Sequence, residues 1–370
     1  MDEGGHAAIG GDSRAAATAN APTGEAALDV AVVIPARNAA RFIDPCLGAL
    51  TAAGVPPAHV VVVDDASSDD TAARAAALGA CVLQLDAHTG SGQARNLGVA
   101  ACTGDVILFV DADVLVRPDL LERIRAALSD PSVAAVFGSY DDKPAAPGWV
   151  SRYRNLLHHF VHQQAASEAA TFWTGCGAVR RKAFERVGGF ATDHRVAPIE
   201  DIDLGLRLRA AGWRIRLDRD LLCKHLKYWS LSNMIRTDVF HRALPWGRIL
   251  LRNQTFPAEL NLSHGQRVAV GLAGVALVAA LAAPFWPMAL WILLAAVGGV
   301  IVANRAWFAF LARTQGLVFA VAAVPLQLIY HVCAGVGLLL AVSEHVATLI
   351  TRSAEHRQPA ETSQCAPRKP

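Results

Sequence analysis

The chain of 370 residues lacks most of the features that disclose a function early. Its seven cysteines (Cys46, Cys81, Cys102, Cys176, Cys223, Cys333, Cys365) form no CxxC pair and no metal-finger spacing, so they read as scattered reduced thiols. The formal net charge is only +2, with no compact Lys/Arg patch and no RNA-binding signature, which argues against a nucleic-acid partner. Residues 1–27 have no apolar segment and are not a signal peptide; their Ala, Gly, Thr and Asn with both charge signs read as a disordered leader. Without an export signal, the soluble part is expected on the cytoplasmic side. Charge is also missing from two long stretches. Val268 to Ala303 and Gly316 to Ser343 contain no Asp, Glu, Lys or Arg, a composition that suits membrane better than the core of a soluble domain.

What is present from Leu28 onward is alternation. "LDVAVVIP", "HVVVVD", "ACVLQL" and "DVILFVD" are each followed by a stretch of helical period. Strands of unbroken Val, Ile and Leu are buried on both faces, so the fold class is α/β, with a mostly parallel sheet covered by helices. Ligands bind such sheets outside the carboxyl ends of the strands. The polar residues closing these strands, Arg37 and Asn38, Asp64 and Asp65, and Asp111 and Asp113, therefore share one crevice. The second half is less regular: a strand near 131–140, a helix near 150–166, the loop "TFWTGCGAVRRKAFERVGGF", a helix opened at Pro198, and two short strands around 214–226.

Two carboxylates one residue apart, Asp111 and Asp113, can splay towards a hard divalent cation or merely solvate a turn. Asp64 and Asp65 can accept hydrogen bonds from a base or ribose, while Ser68, Asp69 or Asp70 caps the following helix. "GSGQARNLG" lacks the P-loop pattern, which disfavours a P-loop protein or a dinucleotide-binding dehydrogenase. Arg95 in that stretch is either a diphosphate contact or a surface cation.

Five segments in order, "VVIPARN", "VVVVDDASSDDT", "GSGQARNLGVAACTGDVILFVDADV", "TGCGAVRRKAFERVGGF" and "IEDIDLGLRLRAAGW", resemble the family-2 inverting glycosyltransferases of the GT-A fold over about residues 30–245. The resemblance implies that Pro35, Asn38, Asp64 and Asp65 form the nucleoside side of a site for a UDP- or GDP-linked sugar. It implies that Asp111 and Asp113 meet Mg2+ or Mn2+ and the diphosphate, with Asp113 nearer the metal. Asp201, in the Glu200-Asp201 pair, becomes the catalytic base, and Asp203 suits a helix-terminal charge better. His225 resembles a histidine that completes the metal site, or is structural. In "WTGCG", Trp173, Gly175 and Cys176 line the acceptor side, with Cys176 packing rather than reacting. Two departures stand out. Ala39 follows Asn38 where many relatives carry an acid, which leaves the nucleoside open, and the QxxRW signature of processive synthases is replaced by "FHRALPW", which points to one sugar per encounter.

A single helix over Val268 to Ala303 would be about 54 Å long, so a hairpin turning at "PFWP" (284–287) is expected, with Gly316 to Val342 as a third span kinked at Pro325. Arg305 and Arg313 beside Trp307, Phe308 and Phe310 suit an interfacial helix near 304–315. Arg242, Arg248, Arg252 and Arg267 before the first span argue for a cytoplasmic catalytic domain. The expected organisation is a leader (1–27), a GT-A domain (28–245), an interfacial linker (246–267), a membrane region of about three spans (268–343) and a polar tail (344–370), in a multi-pass protein of the cell membrane. Three spans place the basic tail outside, against the positive-inside tendency. The expected reaction moves a sugar to a lipid-linked or glycan acceptor. A catalytically silent nucleotide-binding or scaffold subunit of an envelope glycan assembly stands as the alternative, although binding alone needs no base. A nucleotidyltransferase would need a Gly-rich basic loop after the first strand, and "PARNAARF" is not one.

Overall fold

The computed structural model describes residues 28–192, 199–253 and 264–355. The expected leader, Pro198 as helix opener, part of the linker and the end of the tail lie outside the described residues. The first half alternates as the pattern requires: β1 (Val30–Ala36), α1 (Ala40–Ala52), β2 (Val60–Asp64), α2 (Thr71–Ala77), β3 (Cys81–Gln84), α3 (Ser91–Ala100), β4 (Val106–Val110), β5 (Val114–Val116) and α4 (Leu120–Ala127). Then follow β6 (Val133–Tyr140), α5 (Trp149–Gln164), β7 (Glu168–Ala169), β8 (Cys176–Arg180), α6 (Arg181–Arg186), α7 (Glu200–Ala210) and β9 (Arg214–His225).

All these strands join one mixed sheet of order β3-β2-β1-β4-β8-β6-β9-β5, with β7 also on β9. Strands β1, β2, β3, β4, β6 and β9 run one way, and β5, β7 and β8 oppose them. The carboxyl ends of β1, β2, β4, β6 and β9 therefore open on one side. One face of the sheet is covered by α1 and α4 through Ile43, Leu50, Leu120 and Ile124, the other by α3, α6 and α7 through Ala94, Phe184, Leu204 and Leu208.

One expectation is corrected here. Residues 214–225 are one strand, not two, because the polar run Asp218-Arg219-Asp220 is absorbed as a bulge: the pairing moves from Phe137↔Leu217 to Ser139↔Leu222. Gly138 permits this, since a Cβ there would stand 1.9 Å from the Leu221 carbonyl oxygen.

Beyond β9 the chain is helical: α8 (Leu231–Asp238), a π-helical turn (Val239–Ala243), α9 (Leu244–Asn253), α10 (His264–Ala282), α11 (Ala289–Ala303), α12 (Arg305–Gln315) and α13 (Leu317–Glu355). α10 and α11 pair as a hairpin that turns at the prolines. α10 and α13 are each long and apolar enough to cross a membrane, and the α11–α12 pair, bent by 75°, raises the number to three if it counts as one span. α13 continues past Ser343 to Glu355, where a polar tail was expected, because residues 344–355 hold no Gly or Pro to stop it. Tyr153, Leu156, Met234, Trp307, Leu311, Phe319 and Leu326 form a separate core that joins α5 and α8 to α12 and α13.

Candidate active site

The crevice is built where buried strands run out. β4 ends at Val110, and the Asp111 amide donates to the Gly175 carbonyl at 3.3 Å, so the first acidic residue is fixed against the start of β8. β5 pairs with the end of β9, Val114 opposite His225, and the Leu226 amide donates to the Asp113 carbonyl at 2.9 Å. Asp113 Oδ2 thus lies 3.5 Å from His225 Nε2. Burial pushes the Asp113 carboxyl up, but the hydrogen bond and charge of His225, then Lys227, outweigh it and hold it below the ordinary range. Tyr140 stacks on the His225 ring at 4.4 Å and orients it.

Arg95 is neither exposed nor aimed at open solvent. Its guanidinium, 4% exposed, donates to Asp111 Oδ1 at 2.8 Å and to Glu200 Oε1 at 2.6 Å, so the surface-cation reading is overturned. Ser91 Oγ donates to the same Glu200 oxygen at 2.6 Å. Burial disfavours the charged guanidinium, but Asp111, Glu200 and Asp201 outweigh it and raise its pKa. Its Nε has no partner among the described residues. One side chain on α3 therefore ties the DxD turn to the start of α7, segments far apart in sequence.

Asp201 lies on the first turn of α7 and accepts from the Ile202 amide at 2.8 Å. Burial and the adjacent Glu200 charge push its pKa up to about 7, against the opposing pull of Arg95 and the Ile202 N–H. A carboxyl poised near neutrality suits proton transfer. Asp203 pairs instead with Arg207 at 2.7 Å, as the helix-terminal charge expected of it.

The second acidic turn has a different internal logic. Asp65 is 4% exposed, and both its oxygens are taken up by the next loop: the Thr89 amide at 2.6 Å, the Thr89 hydroxyl at 3.0 Å, the Gly90 amide at 3.0 Å and His88 Nδ1 at 2.7 Å. Burial raises its pKa, but these donors outweigh it and hold it low. Asp65 therefore positions the loop into α3. Asp64 Oδ1 accepts from the Ser67 amide at 3.3 Å. Asn38, in the left-handed region at φ 50°, accepts from the Ser68 amide at 2.8 Å and hydroxyl at 3.1 Å, stitching the β1 and β2 ends together. Pro35 pairs opposite Val63 on the same lip. Asp69 is the capping residue: Oδ1 accepts from Thr71 N at 3.1 Å and Oδ2 from Ala40 N at 3.1 Å, serving the starts of α2 and α1 together.

On the far side, Trp173 packs edge-on to Tyr140 at 4.9 Å and tilted on His158 at 4.6 Å. Gly175 leaves room for that ring, since a Cβ would fall 2.2 Å from its Cζ2. Cys176 is fully buried and packs. Sequence reasoning missed Ser91, Tyr140, His158 and His162. Burial drives both histidines down, His162 to about 4, so they are neutral at pH 7. Arg242 of "FHRALPW" was noted only for its charge; it is exposed yet within electrostatic range of Tyr140, His158 and His162, and Arg154 lowers its pKa.

Among the described residues no group of three or more His, Cys, Asp or Glu side chains is placed to hold a metal ion. Asp113 and His225 form a pair at 3.5 Å, and Asp111, one-third exposed, is engaged by Arg95. Mg2+ is commonly held by one or two carboxylates with phosphate and water, so these residues could hold such an ion only together with a bound diphosphate.

The strand order and crevice define a Rossmann-like GT-A domain. The fold of a Pyrobaculum calidifontis mannosyltransferase, solved with GDP-Man and Mn2+, is similar: TM-score 0.52, 22% identity, 84% of this chain and 87% of that one. Residues 31–188 match the family described as Glycosyl transferase family 2, so this part of the chain is a family-2 glycosyltransferase domain. It is 31% identical over 259 residues, 67% of this chain, to a pre-mycofactocin glycosyltransferase of Mycobacterium tuberculosis, and 26% identical over 203 residues to the Haloferax volcanii glycosyltransferase AglE. The matched region covers 53% of this chain and 66% of AglE, and the chain spans only 53%, about half, of the mycobacterial relative.

Proposed function

We propose that the protein is a membrane-associated inverting glycosyltransferase that moves a sugar from a UDP- or GDP-linked donor to a hydroxyl or phosphate of a lipid-linked or glycan acceptor. The observation that carries this reading is the Arg95 bridge, with Asp111 at one end of a guanidinium and Glu200, the neighbour of Asp201, at the other. A leaving-group side and an attacking side thereby flank one small space, as a single in-line displacement needs.

In this reading Pro35, Asn38 and Asp64 border the nucleoside, and Asp65 holds the loop beside it. Asp111, Asp113 and His225 would hold Mg2+ or Mn2+, which supplies charge neutralisation for the diphosphate. Arg242 offers an accessible cation on the same side. Asp201 takes the acceptor proton as the new C–O bond forms and the bond to the diphosphate breaks. Trp173 and Gly175 shape the acceptor side. The C-terminal helices hold the crevice at a membrane, with the catalytic domain in the cytoplasm.

The test is to screen the full chain in membranes against sugar nucleotides with Mg2+ or Mn2+, recording nucleoside diphosphate release with and without lipid extract. Acceptor-dependent release that disappears in Asp201→Asn while nucleotide binding persists supports the reading. No transfer with any donor would favour the silent scaffold instead.

A further inference from the structure

α13 is tied to α5 near its start and to the α8–α9 segment along the rest of its length. At its start, Trp149 of α5 stacks on Phe319 at 5.0 Å, and Arg152 lies over the same ring at 4.6 Å and bonds Gln315. In its middle, the Tyr153 hydroxyl donates to Gln327 at 2.7 Å, beside the buried Arg154–Asp238 pair at 2.5 Å. Further on, Gly337 lies against Ala243, and Gly247 of α9 against Ala341. Near its end, Arg248 makes two hydrogen bonds of 2.8 Å to Glu344.

α9 is itself laid on the catalytic domain. Ile249 and Trp246 pack with Ile199, Ile202 and Leu206, and Arg252 stands 3.6 Å from Asp203, two residues from the candidate base. Phe319 and Glu344 are about 37 Å apart along the helix, more than the ~30 Å hydrocarbon core. Were α13 to cross the bilayer, α5 and α7 of one charged domain would have to stand at opposite faces, with the Arg154–Asp238 pair between them in hydrocarbon. That arrangement is expensive for buried charge.

The α10–α11 hairpin is built differently. Gln266 at its beginning donates to Asn304 at its end at 3.0 Å, so both ends lie at one level. Its tip is apolar and bare, with Phe285 90% exposed and Trp286 and Trp291 exposed beside it. α11, 15 residues long, spans about 22 Å, short of a full crossing.

We infer that α13 does not cross the membrane: it lies along the bilayer surface as a strut under the catalytic domain, and the α10–α11 hairpin alone dips into the lipid and returns. The end of the chain is then on the same side as the active site. α13 then keeps both its ends on one side of the membrane, where the three-span expectation puts them on opposite sides. This inference rests on the membrane reading above.

The test uses the full chain with one epitope tag at each terminus, in sealed inside-out and right-side-out vesicles from expressing cells. Loss of both tags to protease in inside-out vesicles, with both protected in right-side-out ones, is the expected result. Loss of one tag and protection of the other overturns the inference. Release of the whole chain by alkaline carbonate overturns the membrane reading beneath it. As a second measurement, spin labels at Val321→Cys, Leu339→Cys and Phe285→Cys, in a background with Cys81, Cys102 and Cys365 each replaced by Ser, report depth through quenching by a lipid-soluble relaxant. Equal shallow depth at the first two and greater depth at the third is expected, whereas a steep gradient between Val321 and Leu339 overturns the inference.

Discussion

The sheet half and the helical half of this chain use charge in opposite ways. In the sheet half, carboxylates collect at strand ends and are held in place by one buried cation, Arg95, and by backbone amides. In the helical half, charges are spread along a docking seam as separate pairs, Arg154–Asp238 and Arg248–Glu344. The first arrangement focuses potential on one point where a ligand can sit, and the second fixes the orientation of two bodies. Concentrated charge reads as chemistry and dispersed charge as assembly.

The comparison predicts unequal consequences when each half is cut. Arg95→Met should do most damage: it strands buried carboxylates, costs about 3–5 kcal/mol of stability, and lowers transfer as well, measured by denaturant titration and by turnover. Asp201→Asn should leave stability near wild type yet lower kcat by about 10²–10⁴-fold, read as nucleoside diphosphate release with acceptor present. The pH profile should carry the same signature. With its pKa raised to about 7, Asp201 is protonated and inactive as a base below that pH, so kcat/KM rises as pH increases through 7 and levels above it; the limb should vanish in Asp201→Asn. Asp113→Asn should weaken metal and sugar-nucleotide binding together, seen by calorimetry with each alone and with both. The smallest effect belongs to the seam: Tyr153→Phe removes one buried hydrogen bond, costs about 0.5–1.5 kcal/mol, and should spare turnover measured in detergent. If it abolished transfer, the division between the two halves would fall.

How much of this was legible follows from what sequence patterns encode. β1, β2 and β4 were legible because a strand buried on both faces must be apolar until it ends, so its first polar residue marks the crevice. β9 was not, because Asp218, Arg219 and Asp220 interrupt its pattern while the backbone carries the strand past them in a bulge. Asp201 was singled out as a candidate base from its place in the resemblance, whereas the pairing of Arg95 with Glu200 across 105 residues leaves no local trace. The third span was legible as a helix long and apolar enough to cross a membrane, and what the sequence withheld is the contact along it. An uncharged run states that a helix avoids water and says nothing about what covers it. At Gly337 and Gly247 small residues let helix meet helix, and that contact registers in no hydropathy pattern.

Asp69 links the two helix starts beside the ends of β1 and β2, with one carboxylate oxygen on Ala40 N and the other on Thr71 N. The Ala39 amide on the Thr71 hydroxyl and the Arg74–Asp44 pair join the same two helices, so several bonds at once fix the angle between α1 and α2. The corner is braced rather than jointed: a ligand that needs a wider mouth has to break these bonds and the Asn38–Ser68 bonds together.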